Sequence, residues 1–119
     1  MGNSLFEPGS QLANIDIAQG RFMGYTIAYR GDVVPKDVSA HCASTKINRN
    51  IRTVSWAPVC TKLGIDYQPL VALPGDSVST DQSCTMAGNT TAISSVYARG
   101  NYKFDRLFSK RAFVHWYVG

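Results

Sequence analysis

Cysteine is scarce in this 119-residue chain, with only Cys42, Cys60 and Cys84. An odd number without a close C-x-x-C pair points to neither a disulfide framework nor a zinc site, and a reducing compartment fits best. The ten glycines never gather into G-x-x-x-x-G-K-[ST] or G-x-G-x-x-G. A loop whose backbone N–H groups cradle phosphates is therefore not expected. Apolar runs fall well short of the roughly 20 residues that cross a bilayer, and no basic n-region leads into an apolar h-region, so neither a membrane anchor nor a secretory signal is expected. The start resembles an N-myristoylation signal, but Phe6 stands where Ser or Thr is needed. Without a secretory signal, Asn89-Thr90-Thr91 reads as a helix cap rather than a glycan acceptor.

Catalytic groupings are equally sparse. His41 adjoins Cys42 in a stretch read as helix, where successive side chains point about 100° apart and do not face one another. Cys42 reads as core. His115, between Val114 and Trp116, reads as a packed or interfacial histidine rather than a general base. The spacing of His41, Cys60, Cys84 and His115 supports no metal site, and the carboxylates form no acid/base pair. The net charge is +4, from 12 Lys and Arg against 8 Asp and Glu. Its two loose clusters, Lys46/Arg49/Arg52 and Arg106/Lys110/Arg111, have no aromatic-interleaved RNA-binding signature between them, so they read as solvated surface and no nucleic-acid partner is expected.

What is present is the composition of a globular domain, 45% hydrophobic and 17% charged. Residues 1–20 read as an irregular lead-in. Arg21 to Tyr29 is rich in strand formers and apolar on both faces, as in a central strand covered on both sides. Pro35 suits the first turn of a helix, Asp37 its positive end, and Val34, Val38 and Cys42 give it an apolar stripe running to about Lys46. Ile51 to Ala57 reads as a second strand ended by Pro58, with Lys62 to Tyr67 as a short extension. A long loop follows from Gln68 to Ser83, then a short strand over Cys84 to Ala87. Asn89, Thr90 or Thr91 caps the clearest helix, in which Ile93, Val96, Tyr97, Gly100, Phe104, Leu107 and Phe108 recur at helical spacing. One face of that helix should pack on a sheet or other helices. The class is α+β, a mixed sheet with flanking helices in the order β-α-β-β-α.

Phe113, Trp116 and Tyr117 crowd the basic, apolar end of the chain. Two explanations stand level: aromatic and arginine anchors of a protein interface, or a terminal segment docked on its own core.

Several blocks carry a family resemblance: Phe6-Glu7-Pro8, Tyr29 to Val38, Gly64 to Pro69, Asn89 to Ile93, and Lys110 to Gly119. In order and separation they resemble tubulin, and Val33 to Asp37 with Val114 and Val118 favour its α type. The resemblance covers almost the whole chain and implies a single, incomplete domain over 1–119 like the tubulin C-terminal domain. It divides into the 1–20 lead-in, a sheet and helix part over 21–89, and a C-terminal helix with interface segment over 90–119. Departures occur over Ala13 to Ala28, at Ala57 to Cys60 and at Gly100-Asn101.

The resemblance implies interface function rather than catalysis. Val33, Val34, Pro35, Lys36 and Asp37, with Trp56, Pro58, Val59 and Lys62, match segments meeting the β subunit of the next dimer. Lys110, Arg111, Phe113, Val114, His115 and Trp116 match the segment meeting β within the dimer. Implied partners are β-tubulin, the microtubule lattice and microtubule-associated proteins, in the cytoplasmic cytoskeleton. The tubulin nucleotide signature lies outside the matched stretch, so no cofactor is expected here, whereas GTP with magnesium belongs to the full-length family. The competing reading is a non-polymerising binding module that competes for tubulin contacts or binds an acidic partner.

Overall fold

The computed structural model describes residues 2–58, 61–75 and 80–119. Its centre is strand β1 (Phe22–Gly31), flanked by β2 (Thr61–Asp66) and β3 (Gln82–Thr90) in the order β2-β1-β3. β1 and β2 are parallel, with Tyr25 beside Thr61 and Arg30 beside Asp66. β3 runs antiparallel, its register shifting between Phe22 and Gly24. Helix α1 (Pro35–Ile47) makes the β1-to-β2 crossover, and α2 (Ser94–Ser109) and the short α3 (His115–Val118) follow β3. This is the mixed sheet with flanking helices expected of the sequence.

Alternation along β1 positions the core. Tyr25, Ile27 and Tyr29 are buried, together with Phe22, Ile17 and Val38. Thr26 and Ala28 on the opposite face are exposed. The expectation of a strand covered on both sides is thus half right: β1 is central in the sheet, but α1 and the N-terminal turns cover one face only. The open face carries small side chains and one lysine, at Thr26, Ala28, Lys62, Gly64, Thr85 and Ala87, as in sheets that face water on one side.

Three further readings are corrected. Ile51 to Ala57 is not a strand: only Thr53 bridges to Phe22, and the second strand begins at Thr61, beyond Pro58, whose missing N–H suits a break in a ladder. The third strand is longer than expected, nine residues from Gln82 to Thr90. The lead-in is built of 3-10 turns at Gly2–Phe6, Pro8–Ser10 and Ile17–Gln19. They are structural, since Ile17 is buried and the Phe6 ring meets Phe22 and Tyr25 edge-on at 6.2 and 5.8 Å.

Helix α1 begins as read, with Pro35 in its first turn and Asp37 near its positive end. Its stripe differs from the expected one: Val38 and Thr45 are buried, His41 and Cys42 half-buried, and Val34 exposed. Ahead of α2, the Thr90 hydroxyl accepts the Ala92 N–H at 3.3 Å, capping the 3-10 turn Thr91–Ile93 that leads into the helix. The expected packing of α2 is absent among the described residues, because none of its side chains is buried. The radius of gyration is accordingly 19.5 Å, against about 13.5 Å for a compact chain of this length.

Candidate functional site

Three exposed segments carry the residues singled out from sequence. The first leaves the end of β1. Gly31 adopts φ 98°, a left-handed conformation glycine enters without a Cβ penalty. The Asp32 N–H then bonds the Asp81 carbonyl at 3.1 Å and the Val33 N–H bonds that of Gly31 at 2.9 Å. This turn delivers Val34 to the helix start, where its carbonyl accepts the N–H groups of Asp37 and Val38. Val33 packs against the core, while Val34, Pro35, Lys36 and Asp37 face solvent.

A cavity of about 550 Å³ lies beside this turn, lined by Tyr29, Asp32, Asp37, His41 and Gln82 among others. The Tyr29 hydroxyl sits 2.5 Å from His41 Nδ1. Burial, and then the charge Cys84 would carry, push the Tyr29 phenol up to about 12, and burial pushes the Cys84 thiol up as well. Both groups stay protonated near neutrality, the opposite of what an activated nucleophile needs. Cys42 is half-buried, and no group of three or more His, Cys, Asp and Glu suited to a metal occurs among the described residues. The Tyr29–His41 pair was not legible in the sequence, because the only neighbour that adjacency gave His41 was Cys42.

The second segment enters β2. Trp56 is exposed and Pro58 lies beside Phe22, Gly24 and Tyr25 at the opening of β1. Lys62 is exposed on β2 opposite Thr26, and Val59 falls outside the described residues. Because Thr26 is five residues before Gly31, Lys62 is roughly 17 Å from the first segment along the strand. The structure does not bring Trp56 to Lys62 together with Val33 to Asp37: they occupy opposite ends of β1.

The third segment closes α2. Arg111 and Phe113 take φ 53° and 61°, and the Ala112 N–H returns to the Leu107 carbonyl at 3.1 Å, satisfying a helix-end acceptor. The Arg111 guanidinium lies 5.1 Å from the Phe108 ring centre, and the His115 and Trp116 rings are 4.7 Å apart. Phe113, Trp116 and Tyr117 are exposed, with Trp116 at 76% and Tyr117 at 91%. Of the two explanations for this aromatic end, docking on its own core is therefore not realised here. Only Ala112 and Val114 in this segment are half-buried.

The helical arm over 94–119, made of α2, the turn after it and α3, is also where the excess positive charge resides. Arg99, Lys103, Arg106, Lys110 and Arg111 face a single carboxylate, Asp105, an excess equal to the net +4 of the whole chain. The sheet region is thus formally neutral. Sequence reading grouped Arg106, Lys110 and Arg111 but left out Arg99 and Lys103 and so missed the segregation, which counting charge by structural element makes visible.

Comparison with known proteins agrees with this architecture. The family model of the tubulin C-terminal domain matches residues 1–102. The chain is 48% identical over 120 residues to the tubulin alpha chain of Trypanosoma cruzi, covering 100% of this chain and 27% of that protein. It is likewise 48% identical over 118 residues to the tubulin alpha-2 chain of Caenorhabditis elegans, covering 98% of this chain and 26% of that one. The chain thus spans about a quarter of the length of these relatives, and the sheet, its crossover helix and the start of α2 fall within the matched domain. By descent and by fold, the chain belongs to the tubulin family, within its C-terminal domain.

Proposed function

We propose that the chain acts as a structural, non-catalytic part of an α-tubulin-type subunit, meeting β-tubulin in the cytoplasmic cytoskeleton. Its contact surfaces in this reading are Val33, Val34, Pro35, Lys36 and Asp37 at the head of α1, Trp56, Pro58, Val59 and Lys62 at the entry to β2, and Lys110, Arg111, Phe113, Val114, His115 and Trp116 on the arm. One observation carries it: the apolar side of α2, with Tyr97, Phe104, Leu107 and Phe108, is 47–68% exposed and continues into the exposed Phe113 and Trp116. An apolar surface of that extent marks an interaction site, and aromatic and arginine anchors suit a protein partner. Co-sedimentation with microtubules, together with binding to soluble tubulin dimers, tests it. Association that weakens on Trp116→Ala and Lys110→Glu supports the reading, and a folded chain that associates with neither counts against it.

Nucleotide chemistry belongs, in this reading, to parts of full-length relatives outside the matched quarter. GTP with magnesium is then expected to leave the melting temperature of this chain unchanged, and a rise on adding it would overturn that assignment.

The charge segregation favours one competing reading, a non-polymerising module whose basic arm engages an acidic partner. Steep loss of binding with salt and indifference to tubulin would select it.

A further inference from the structure

We infer that Ser109, the last residue of α2, is a phosphorylation site for a serine kinase that recognises cations around its acceptor. The run Arg106-Leu-Phe-Ser-Lys-Arg111 places an arginine three residues before the serine and a lysine and an arginine directly after it. A kinase groove lined with carboxylates reads such a charge pattern, and a guanidinium can meet a carboxylate through two parallel hydrogen bonds. Arg106, Ser109, Lys110 and Arg111 are all exposed. Among the described residues the one ion pair joins Arg30 to Asp66. The two arginines of the site rest on rings instead, Arg106 5.2 Å from the centre of Tyr102 and Arg111 5.1 Å from that of Phe108, so their charge is open to an enzyme's carboxylates.

The helix presents this hydroxyl on its polar side. At about 100° per residue, Ser109 lies roughly 120–160° around the axis from Tyr97, Phe104 and Leu107. A partner covering that apolar side would therefore leave Ser109 outward. Helical side chains lean toward the N-terminus, and the Ser109 hydroxyl accordingly donates to the Arg106 carbonyl at 2.9 Å. Beyond Ser109 the chain has left the helix, with Lys110 at φ −97° and ψ 5° and Arg111 at φ 53°. A kinase needs its acceptor freed into a cleft, and a helix end opens at little cost.

Two other serines have a cation three residues before them. Ser39 follows Lys36, but Asp37 stands between them and the serine lies inside α1. Ser55 follows Arg52, but that stretch is tied to β1: the Arg52 carbonyl accepts the Phe22 N–H at 2.7 Å, and the Val54 N–H bonds the Phe22 carbonyl at 3.1 Å. Trp56, Ala57 and Pro58 add no cation after it. Of the three, Ser109 alone joins charge on both sides to the end of an element.

In the transfer, Ser109 Oγ bonds to the γ-phosphorus of a nucleoside triphosphate and the bond from that phosphorus to the β–γ bridging oxygen breaks. The nucleoside diphosphate leaves, and the hydroxyl proton passes to the kinase's catalytic carboxylate. A phosphate adds about −1.5 to −2 charge, removing close to half of the arm's excess of positive charge. It also sets an anion at the negative end of α2, so the cations favour the site through recognition and not through the stability of the product.

Incubating the full chain with ATP and magnesium tests this, using in parallel a serine kinase selective for arginine three residues before its acceptor and one selective for carboxylates. Mass spectrometry of fragments locates the phosphate. The first kinase should place it on Ser109, and the second should place none. Arg106→Ala should lower kcat/KM by about tenfold or more, with Arg106→Lys recovering part of the loss. Ser55→Ala should leave the rate within about twofold. Far-UV circular dichroism of each variant confirms that it remains folded, and Arg106→Gln provides a second variant should Arg106→Ala fail that check. Phosphate on Ser39 or Ser55 in place of Ser109 overturns the inference. So does equal modification by both kinases, an unchanged rate in Arg106→Ala, or no modification at all. The outcome is independent of the contact proposed with β-tubulin, because Ser109 is not among its residues and no tubulin is present.

Discussion

The Tyr29 hydroxyl and His41 Nδ1, 2.5 Å apart, tie the end of the central strand to the middle of the crossover helix. The ring of Tyr29 is buried and its hydroxyl lies at the boundary between sheet and helix, where ionisation is disfavoured.

An alkaline loss of stability follows from that position. The folded-state value of Tyr29 is about 12, against an ordinary 10.0. A raised value contributes stability that is fully present below pH 10 and lost as pH climbs through 12. Cys84, also raised, acts in the same direction from its ordinary 9.0 upward. Thermal melts followed by circular dichroism should show a falling midpoint over this alkaline range. Tyr29→Phe should flatten the part between pH 10 and 12 while leaving the Cys84 contribution, and an unchanged slope would refute the assignment.

Burial along β1 predicts a sharp contrast between neighbours. Ile27 is fully buried, 0% exposed, whereas Thr26 points to the open face. Ile27→Ala should cost about 2–5 kcal/mol, from lost transfer energy and the cavity left behind. Thr26→Ala should stay within about 0.5 kcal/mol. Urea unfolding of the two variants measures both, and similar midpoints would mean that the open face is covered in solution.

How legible this was in the sequence depended on whether a signal was local. Pro35 and Asp37 announced the start of α1, and Thr90 the turn into α2, because caps and first turns are written within three or four residues. The core partners of β1 were not: Ile17 and Phe6 lie in turns without periodicity and reach Phe22 and Tyr25 only through tertiary packing. The periodicity of α2 reported its apolar side correctly but not what covers it. The segments proposed as contact surfaces rest on family resemblance rather than on any local signal, and the separation of Lys62 from Val34 along β1 emerged only from strand register.

Helix α1 starts without a side-chain cap. Val34 occupies the N-cap position with extended backbone, φ −90° and ψ 127°, and offers no oxygen to the first turn. Val34→Asp supplies one and should stabilise the chain by about 1 kcal/mol. If Val34 also meets β-tubulin, the same substitution weakens that association by removing an exposed apolar contact. Thermal denaturation and tubulin binding should then move in opposite directions, and parallel changes would separate Val34 from the interface.

Interface residues that are not core residues should affect binding and leave folding intact, and the arm allows the cleanest separation. Phe104 is 60% exposed and stacks on Phe108 at 5.5 Å, and Trp116 is 76% exposed. Phe104→Ser forfeits little burial, and serine and phenylalanine have similar helix propensities, so folding stability should change by about 0.5 kcal/mol or less. Trp116→Ala should behave alike. If these rings anchor β-tubulin, each truncation should cost about 1–2 kcal/mol of binding, roughly five- to thirtyfold in Kd. Fluorescence titration with tubulin dimers, read beside urea midpoints, decides the matter. Unchanged affinity with unchanged stability would remove the arm from the contact surface, whereas a collapse of stability would show that α2 packs against the sheet after all.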